Sequence, residues 1–276
     1  MDDSLADVLV VAQVAARKAG NLLLEWSKRL TAEEVRSKSV SRDLVTEADL
    51  ASEAILISAL KEVFPEDGFL AEETGSENLE APHVWYVDPL DGTNNFVHGL
   101  PMYAVSLARV TNGVPDVAVV FIPRLQEMFT ATKGGGSFLN DRRIEVSGTT
   151  ELLEAMLATG FPYRRHKLLE NNLENFQRLF LQQRGVRRMG SAACDLAYVA
   201  CGRLDAYWEL HLSPYDVAAG GLLVSEAGGT VDTIFSGGSW LHGKNILAAP
   251  PDLLGKLRDV LQDGRDSSYP PLGEHA

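Results

Sequence analysis

Two aspartates follow directly on a short apolar run, at a spacing that lets their side chains act together. Asp88 and Asp91 stand three residues apart, immediately after the predicted strand at 84–87. Pro89 fixes its own φ and donates no backbone hydrogen bond, and Gly92 permits a turn that other residues resist. The two carboxylates can therefore converge on one point.

Such convergence needs a cation. Two ionised carboxylates about 4 Å apart repel each other by roughly 4 kcal/mol at an effective dielectric constant of about 20 unless a proton or cation lies between them. Oxygen ligands with no His or Cys nearby favour Mg²⁺ or Mn²⁺ over Zn²⁺. Glu72 and Glu73 close a predicted strand and Asp216 opens a predicted helix. The pattern predicts a divalent-cation site at element ends, with solvated turns and helix caps as the alternative.

Three segments containing these residues resemble the signatures of the inositol monophosphatase family. They are 71–74, 88–96 and 208–220, and the similarity continues at 43–49, 97–101, 190–193 and 226–229. The sequence at 88–93 marks the wider lithium-sensitive phosphatase superfamily, whereas 190–216 indicates bacterial inositol monophosphatases more narrowly. Ala71, Asn94 and Tyr215 depart from residues that are frequent in the family.

The resemblance implies a set of metal ligands. One Mg²⁺ would bind Glu72, Asp88 and the backbone carbonyl of Leu90, and a second would bind Asp88, Asp91 and Asp216. A third, weaker ion would rest on Glu72 and water, so that two or three ions serve each site. Lys38 is a further candidate near the third ion.

The resemblance also implies catalytic and substrate-binding roles. Glu72, Asp49 and Thr93 would orient and deprotonate the attacking water. The backbone N–H groups of Gly92 and Thr93 would hold the phosphate. The whole substrate-contacting set would be Gly92, Thr93, Asp91, Gly190, Ser191, Ala192, Glu209 and Asp216.

The expected activity is hydrolysis of a small phosphate monoester, with inositol 1-phosphate as the leading substrate because Glu209 stands at the family's inositol-contacting position. Histidinol phosphate, fructose 1,6-bisphosphate and 3′-phosphoadenosine 5′-phosphate stay open as substrates. A regulatory role without catalysis, associated with RNA or transcription, is the alternative from another class. The resemblance further implies lithium sensitivity and a homodimer.

Composition and charge limit the other partners. The chain has 276 residues, 45% of them hydrophobic, and a formal net charge of -13. That charge repels nucleic acids and anionic membranes, so we expect neither as a general partner. Cys194 and Cys201 lie roughly 10 Å apart if they share a helix, too far for a disulfide. No signal peptide or membrane span is predicted, and we expect a cytoplasmic protein.

Apolar periodicity predicts an α/β protein. Helices are predicted at 4–27, 46–64, 168–180, 193–200, 216–227 and after Pro251, and strands at 69–71, 84–87, 103–110, 117–122, 127–132 and 204–208. By resemblance the fold is a layered αβαβα sandwich. We expect one domain at 1–264, with lobes at about 1–150 and 151–264, and a frayed tail at 265–276.

Overall fold

The computed structural model describes residues 4–28, 47–235, 237–266, 268–270 and 273. Lys38 and the predicted capping residue Thr46 lie outside the described residues. The helices are α1 Leu5–Ser27, α2 Glu47–Val63, α3 Thr93–Val97, α4 Leu173–Phe180, α5 Ala192–Ala200, α6 Pro214–Glu226 and α7 Pro251–Gln262. The strands are β1 Gly68–Ala71, β2 Gly75–Glu77, β3 His83–Asp91, β4 Ala104–Thr111, β5 Val114–Ile122, β6 Glu127–Thr132, β7 Gly136–Leu139, β8 Arg142–Ile144, β9 Met156–Thr159, β10 Gly185–Arg187, β11 Ala206–Leu210, β12 Thr230–Asp232 and β13 Asn245–Ala249.

The strands form two sheets. The larger sheet has the order β2-β1-β3-β4-β5-β6-β7-β8, and its strands from β3 onward form an antiparallel meander, while β1 runs parallel to β3. The smaller sheet has the order β10-β9-β11-β13-β12, with parallel pairs on either side of β9. Carboxyl ends of parallel strands meet at one sheet edge, so β1 and β3 deliver their carboxylates side by side.

Helices alternate with the sheets in five layers. The first two helices cover one face of the larger sheet, α5 and α6 lie between the two sheets, and α4 and α7 cover the far face of the smaller sheet. Three separate apolar cores fill the spaces between the layers. This arrangement confirms the predicted αβαβα sandwich.

Small residues let α1 approach the larger sheet closely. Ser4 caps the helix by accepting a hydrogen bond from the N–H of Asp7 at 3.2 Å. The buried stripe is mostly alanine, ending near Gly20 and Leu23. A methyl group added at Gly20 would lie 2.5 Å from the ring of Phe121. Close packing between α1 and the larger sheet therefore depends on the absence of a side chain at position 20.

The structure corrects several predicted boundaries. The predicted helix at 168–180 is wrong in its first turn, because Asn172 has a φ of 73° and the observed helix begins only at Leu173. The side chain of buried Asn172 donates to the carbonyl of Gly160, which holds the chain away from helical geometry. Strand β11 extends two residues further than predicted, so Glu209 lies inside the strand. Short strands such as β7, β9 and β13 were not predicted.

Helix α4 and the chain after α7 pack together. Arg265 lies 3.1 Å from Glu174 of α4, and its guanidinium stacks on the ring of Tyr269. The carbonyl of Gly273 accepts a hydrogen bond from the N–H of Leu169 at 3.0 Å. Within the described residues, no helix is both long and apolar enough to span a membrane. The division into two lobes stays a prediction.

Candidate active site

A β-bulge brings Asp88 and Asp91 to the same face of β3. In a regular strand, residues three apart point to opposite faces. Here Asp88 pairs with Ser106 and Asp91 with Ala104, so β3 carries one more residue than β4 between these pairs. Pro89 sits at the interruption, where a missing N–H costs no ladder hydrogen bond. Because of this extra residue, Asp88 and Asp91 face the same cavity although they stand three residues apart.

Helix α2 holds two backbone segments in place by hydrogen bonds: the turn after β1 and the bulge in β3. The buried carboxylate of Glu53 accepts hydrogen bonds from the backbone N–H groups of Glu73 and Thr74, each at 2.9 Å. The adjacent Ser52 donates from its hydroxyl to the carbonyl of Pro89 at 2.9 Å. Sequence reasoning missed both residues. Their only signal is polarity within the buried face of an amphipathic helix.

Asp91 is held by the first turn of α5. Its Oδ2 accepts hydrogen bonds from the hydroxyl of Ser191 at 2.8 Å and from the N–H of Ala193 at 2.6 Å. Gly190, with a φ of 88°, turns the chain into this helix. The predicted substrate residues at 190–192 thus lie directly beside a predicted metal ligand.

Asp216 occupies the first turn of α6 rather than its first residue. Its Oδ2 accepts a hydrogen bond from the N–H of Ser213 at 2.6 Å, which closes the helix start. Pro214 opens the helix, as its fixed φ favours. Asp216 therefore serves as a helix cap here, and it faces the same cavity as the carboxylates of β3.

Glu209 faces the cavity from the smaller sheet. The hydroxyl of Tyr207 donates a hydrogen bond to Glu209 Oε2. A methyl group at Gly160, on the neighbouring strand end, would overlap the Glu209 carboxylate. Glycine at 160 therefore makes room for this side chain, so Glu209 is not a solvated residue at a strand end.

The carboxylates raise one another's pKa. Burial first, and then the charges of Glu72, Asp91 and Asp216, raise the pKa of Asp88 well above its ordinary range. Glu72 is exposed as a whole residue, but desolvation of its carboxyl group together with nearby carboxylates raises its pKa to about 7. Burial raises the pKa of Asp91 to about 6, opposed by its hydrogen bonds to Ala193 and Ser191. The group of negative charges is thus unfavourable without protons or cations.

One cavity of about 320 Å³ joins these residues. Of the predicted site residues, those that line it are Glu72, Asp88, Leu90, Asp91, Gly92, Thr93, Gly190, Ser191, Ala192, Glu209 and Asp216. Asp49 is buried beside Glu72 and Glu73 but does not line the cavity. Asp195 and Arg188 also line it, and sequence reasoning assigned neither to the site.

The donor set fits hard divalent cations, although the side chains are turned toward protein donors. Among the described residues, no group of three or more His, Cys, Asp or Glu side chains is arranged to hold a metal ion. Asp91 and Asp216 are instead bonded to the N–H groups of Ala193 and Ser213, and the Leu90 carbonyl accepts from the Thr93 hydroxyl at 3.2 Å. All these ligands are oxygens that repel one another, which suits Mg²⁺.

Comparison with known proteins gives the class of the fold and site. The sequence profile of the inositol monophosphatase family matches residues 4–264. The chain belongs to this family, as the motifs predicted.

Individual relatives carry two kinds of name. The chain is 44% identical over 260 residues to Nus factor SuhB of Pseudomonas aeruginosa, covering 92% of this chain and 96% of that protein. The fold matches the inositol monophosphatase of Anabaena with a TM-score of 0.87 and 39% identity, covering 98% of this chain and 99% of the other. It also matches the extragenic suppressor protein suhB of Bartonella henselae, with a TM-score of 0.84 and 38% identity over 94% and 99% of the two chains.

Proposed function

We propose that this protein is a Mg²⁺-dependent phosphatase that hydrolyses a small phosphate monoester. The observation that carries the proposal is the convergence of Glu72, Asp88, Asp91 and Asp216 on one cavity, with pKa values raised by burial and mutual repulsion. A carboxylate in a cleft whose pKa is shifted by burial and by charged neighbours is a candidate for a functional site.

Each residue at the metal end has a proposed task. Glu72, Asp88, Asp91, Asp216 and the Leu90 carbonyl would hold two or three Mg²⁺ ions. When bound, such ions neutralise charge on the phosphoryl group and make water more acidic. Thr93 and Glu72 would orient the attacking water, with buried Asp49 behind Glu72. The N–H groups of Gly92 and Thr93 would hold phosphate oxygens. Hydrolysis by such an activated water needs no covalent enzyme intermediate.

Inositol 1-phosphate is the proposed substrate because a further carboxylate, contributed by the smaller sheet, lines the cavity. Glu209 faces the predicted metal ligands without belonging to them, and its pKa is raised to about 7 mainly by burial. A carboxylate in this place can accept hydrogen bonds from ring hydroxyls. Lithium inhibition and a homodimer are further proposals that follow from the family.

A substrate panel tests the proposal. Phosphate release would be measured with Mg²⁺ from inositol 1-phosphate, histidinol phosphate, fructose 1,6-bisphosphate and 3′-phosphoadenosine 5′-phosphate. The highest kcat/KM is expected for inositol 1-phosphate. A higher value for another of these compounds would replace the substrate, and release from none of them would refute the activity.

A regulatory role is the second candidate function. Relatives from several bacteria that are 40–44% identical over at least 90% of this chain are named Nus factor SuhB or putative Nus factor SuhB. This name weighs against our expectation, drawn from the net charge, that association with nucleic acid is unlikely. Replacement of the chromosomal gene by Asp91→Asn separates the two: a purely regulatory protein would keep full cellular function with this variant, whereas a phosphatase would lose it.

A further inference from the structure

The side chain of Asn172 does not cap the helix that it precedes. Asn172 stands at the N-cap position of α4, where an asparagine side chain normally accepts a hydrogen bond from the first turn. Here the side chain makes no capping hydrogen bond, and the residue is fully buried with a φ of 73°. Asparagine tolerates this left-handed conformation better than most residues, although at a cost in free energy. The side chain therefore serves contacts other than the helix start.

All hydrogen-bonding atoms of the Asn172 amide bond to buried groups. Its Nδ2 donates to the Thr159 hydroxyl at 2.8 Å and to the Gly160 carbonyl at 2.6 Å. Its Oδ1 accepts from the indole N–H of Trp208 at 2.8 Å and from the Asn175 amide at 3.1 Å. An indole N–H can only donate and a carbonyl can only accept, so these contacts determine the orientation of the amide. Asn172 thus joins the end of β9 to β11.

These contacts lie where the pairing of β9 with β11 stops. The last paired residues are Thr159 and Trp208, and the Thr159 hydroxyl also donates to the Trp208 carbonyl at 2.6 Å. One position further, Gly160 lies so close to the Glu209 carboxylate that an added methyl group would overlap it, and both residues line the cavity. Because the strand pairing does not extend to these two residues, the hydrogen bonds of Asn172 determine how Gly160 and Glu209 approach each other.

The hydrogen-bond network continues from Asn172 to the segment after α7. Asn175 is fully buried, and its Oδ1 accepts from the hydroxyl of Tyr269 at 2.8 Å and from the guanidinium of Arg265. None of these residues lines the cavity. In such a buried network, a side chain that turned away would leave its partners unpaired, so each member holds the next in one orientation. The Asn172 amide is therefore also held from the side away from the cavity.

We propose that Asn172 is a positioning residue for the cavity wall formed by Gly160 and Glu209. Asn172 does not line the cavity and acts through its neighbours: it directs the Glu209 carboxylate through Gly160 on one side and Trp208 on the other. The inference rests on the proposed phosphatase function, in which Glu209 accepts hydrogen bonds from the leaving group. Loss of the amide should therefore weaken selection between leaving groups and spare hydrolysis itself.

Asn172→Asp tests this role at nearly constant shape. Aspartate also tolerates a left-handed φ, but its carboxylate has no donor and places an oxygen against the Gly160 carbonyl. The ratio of kcat/KM for inositol 1-phosphate to that for p-nitrophenyl phosphate is expected to fall about tenfold, mainly through a higher KM for inositol 1-phosphate.

Asn245→Asp is the matched control. Asn245 is a buried amide on β13, at the other side of β11, and it bonds to the Ile234 N–H and the Gly243 carbonyl outside the cavity. The ester ratio of this variant should stay close to that of the wild type. An unchanged ratio in Asn172→Asp, or an equal fall in the control, would overturn the proposal.

A double-mutant cycle separates positioning from a merely structural role. In the Glu209→Ala background, Asn172→Asp is expected to lower kcat/KM for inositol 1-phosphate by less than about twofold, because the carboxylate that Asn172 directs is gone. A fall as large as that in the wild-type background would refute the proposal. Thr159→Val, which removes the hydroxyl but keeps the shape, replaces Asn172→Asp if that variant does not fold. The ester ratio should then fall in Thr159→Val, and an unchanged ratio would refute the proposal.

Hydrogen exchange separates this inference from the proposed function. Backbone amides at 157–163 are expected to exchange at least about threefold faster in Asn172→Asp than in the wild type, and Asn245→Asp should leave them unchanged. If the wild type hydrolyses neither ester, the phosphatase proposal fails, and the exchange rates alone decide whether Asn172 holds the wall. If the wild type hydrolyses both esters while Asn172→Asp changes neither the exchange nor the ester ratio, the positioning role fails and the phosphatase proposal stands.

Discussion

Asp88 and Asp91 differ in their surroundings although both belong to β3. Asp88 is 1% exposed and accepts a hydrogen bond from the N–H of Leu90 at 3.1 Å, whereas Asp91 accepts two hydrogen bonds from the start of α5. Both lie near further carboxylates, so a cation bound between them would relieve electrostatic repulsion at each position.

Asp91→Asn removes one charged ligand at almost constant volume. Turnover of inositol 1-phosphate with Mg²⁺ is expected to fall by at least about a hundredfold, because a cation loses a charged ligand. The melting temperature should change little, since an amide oxygen can still accept from Ser191 and Ala193. Asp259→Asn, at an exposed position of α7, is the control. Near-normal turnover of Asp91→Asn would remove Asp91 from the metal ligands.

Glu209→Ala tests recognition of the leaving group. The variant is expected to lower kcat/KM for inositol 1-phosphate by roughly ten- to a hundredfold, because charge-assisted hydrogen bonds contribute about 1.5 to 3 kcal/mol each. Hydrolysis of p-nitrophenyl phosphate, which has no ring hydroxyls, should fall much less. Equal losses on both esters would assign Glu209 to the common machinery or the scaffold.

The elements that position these residues were only partly predictable. Long apolar periods predicted α1, α2 and the central strands, because burial on one face leaves a regular pattern. The motif at 88–93 predicted a carboxylate cluster, yet the bulge that makes it converge depends on the pairing of β3 with β4. Ser52 and Glu53 form hydrogen bonds with residues at least 20 positions away along the chain. The local sequence carries no signal for such contacts.

Glu53→Gln tests the clamp between α2 and the turn at 72–74. An amide can accept from one backbone N–H but places its own N–H₂ against the other, so the turn should loosen. The Mg²⁺ concentration for half-maximal activity is expected to rise about tenfold, with kcat largely restored at saturating Mg²⁺. Glu226→Gln is the matched control, because Glu226 accepts from the N–H groups of Gly134 and Gly136 outside the cavity. An equal rise in the control would contradict the positioning role.

The five layers of the fold surround a cavity lined by carboxylates that repel one another. β3 lines the cavity from the larger sheet, α5 and α6 from the middle layer, and β11 from the smaller sheet, while α2 in an outer layer holds the turns beside it. Because both sheets and the helix layer between them contribute residues to the cavity, repulsion among its carboxylates should lower the stability of the whole fold. Proton and Mg²⁺ binding should therefore be linked to unfolding.

The stability of the metal-free protein should fall as pH rises from about 4 to about 7. Glu72 has a pKa of about 7 against an ordinary 4.5, and Asp91 one of about 6 against 3.8. Between those values the folded state binds more protons than the unfolded state, so stability decreases with pH. Calorimetry in chelator should show a lower melting temperature at pH 8 than at pH 5.5. Addition of Mg²⁺ at pH 8 should restore the melting temperature. A flat or rising profile would contradict the assignment.

We propose that the converging carboxylates bind Mg²⁺ for phosphate-ester hydrolysis. Phosphate release from inositol 1-phosphate by the wild-type protein would be measured in excess chelator and then after addition of Mg²⁺ above the chelator concentration. We expect no release above background in chelator and full recovery with Mg²⁺, while Asp91→Asn stays inactive in both. Full activity in excess chelator, or no activity of the folded wild-type protein with Mg²⁺, would contradict the account.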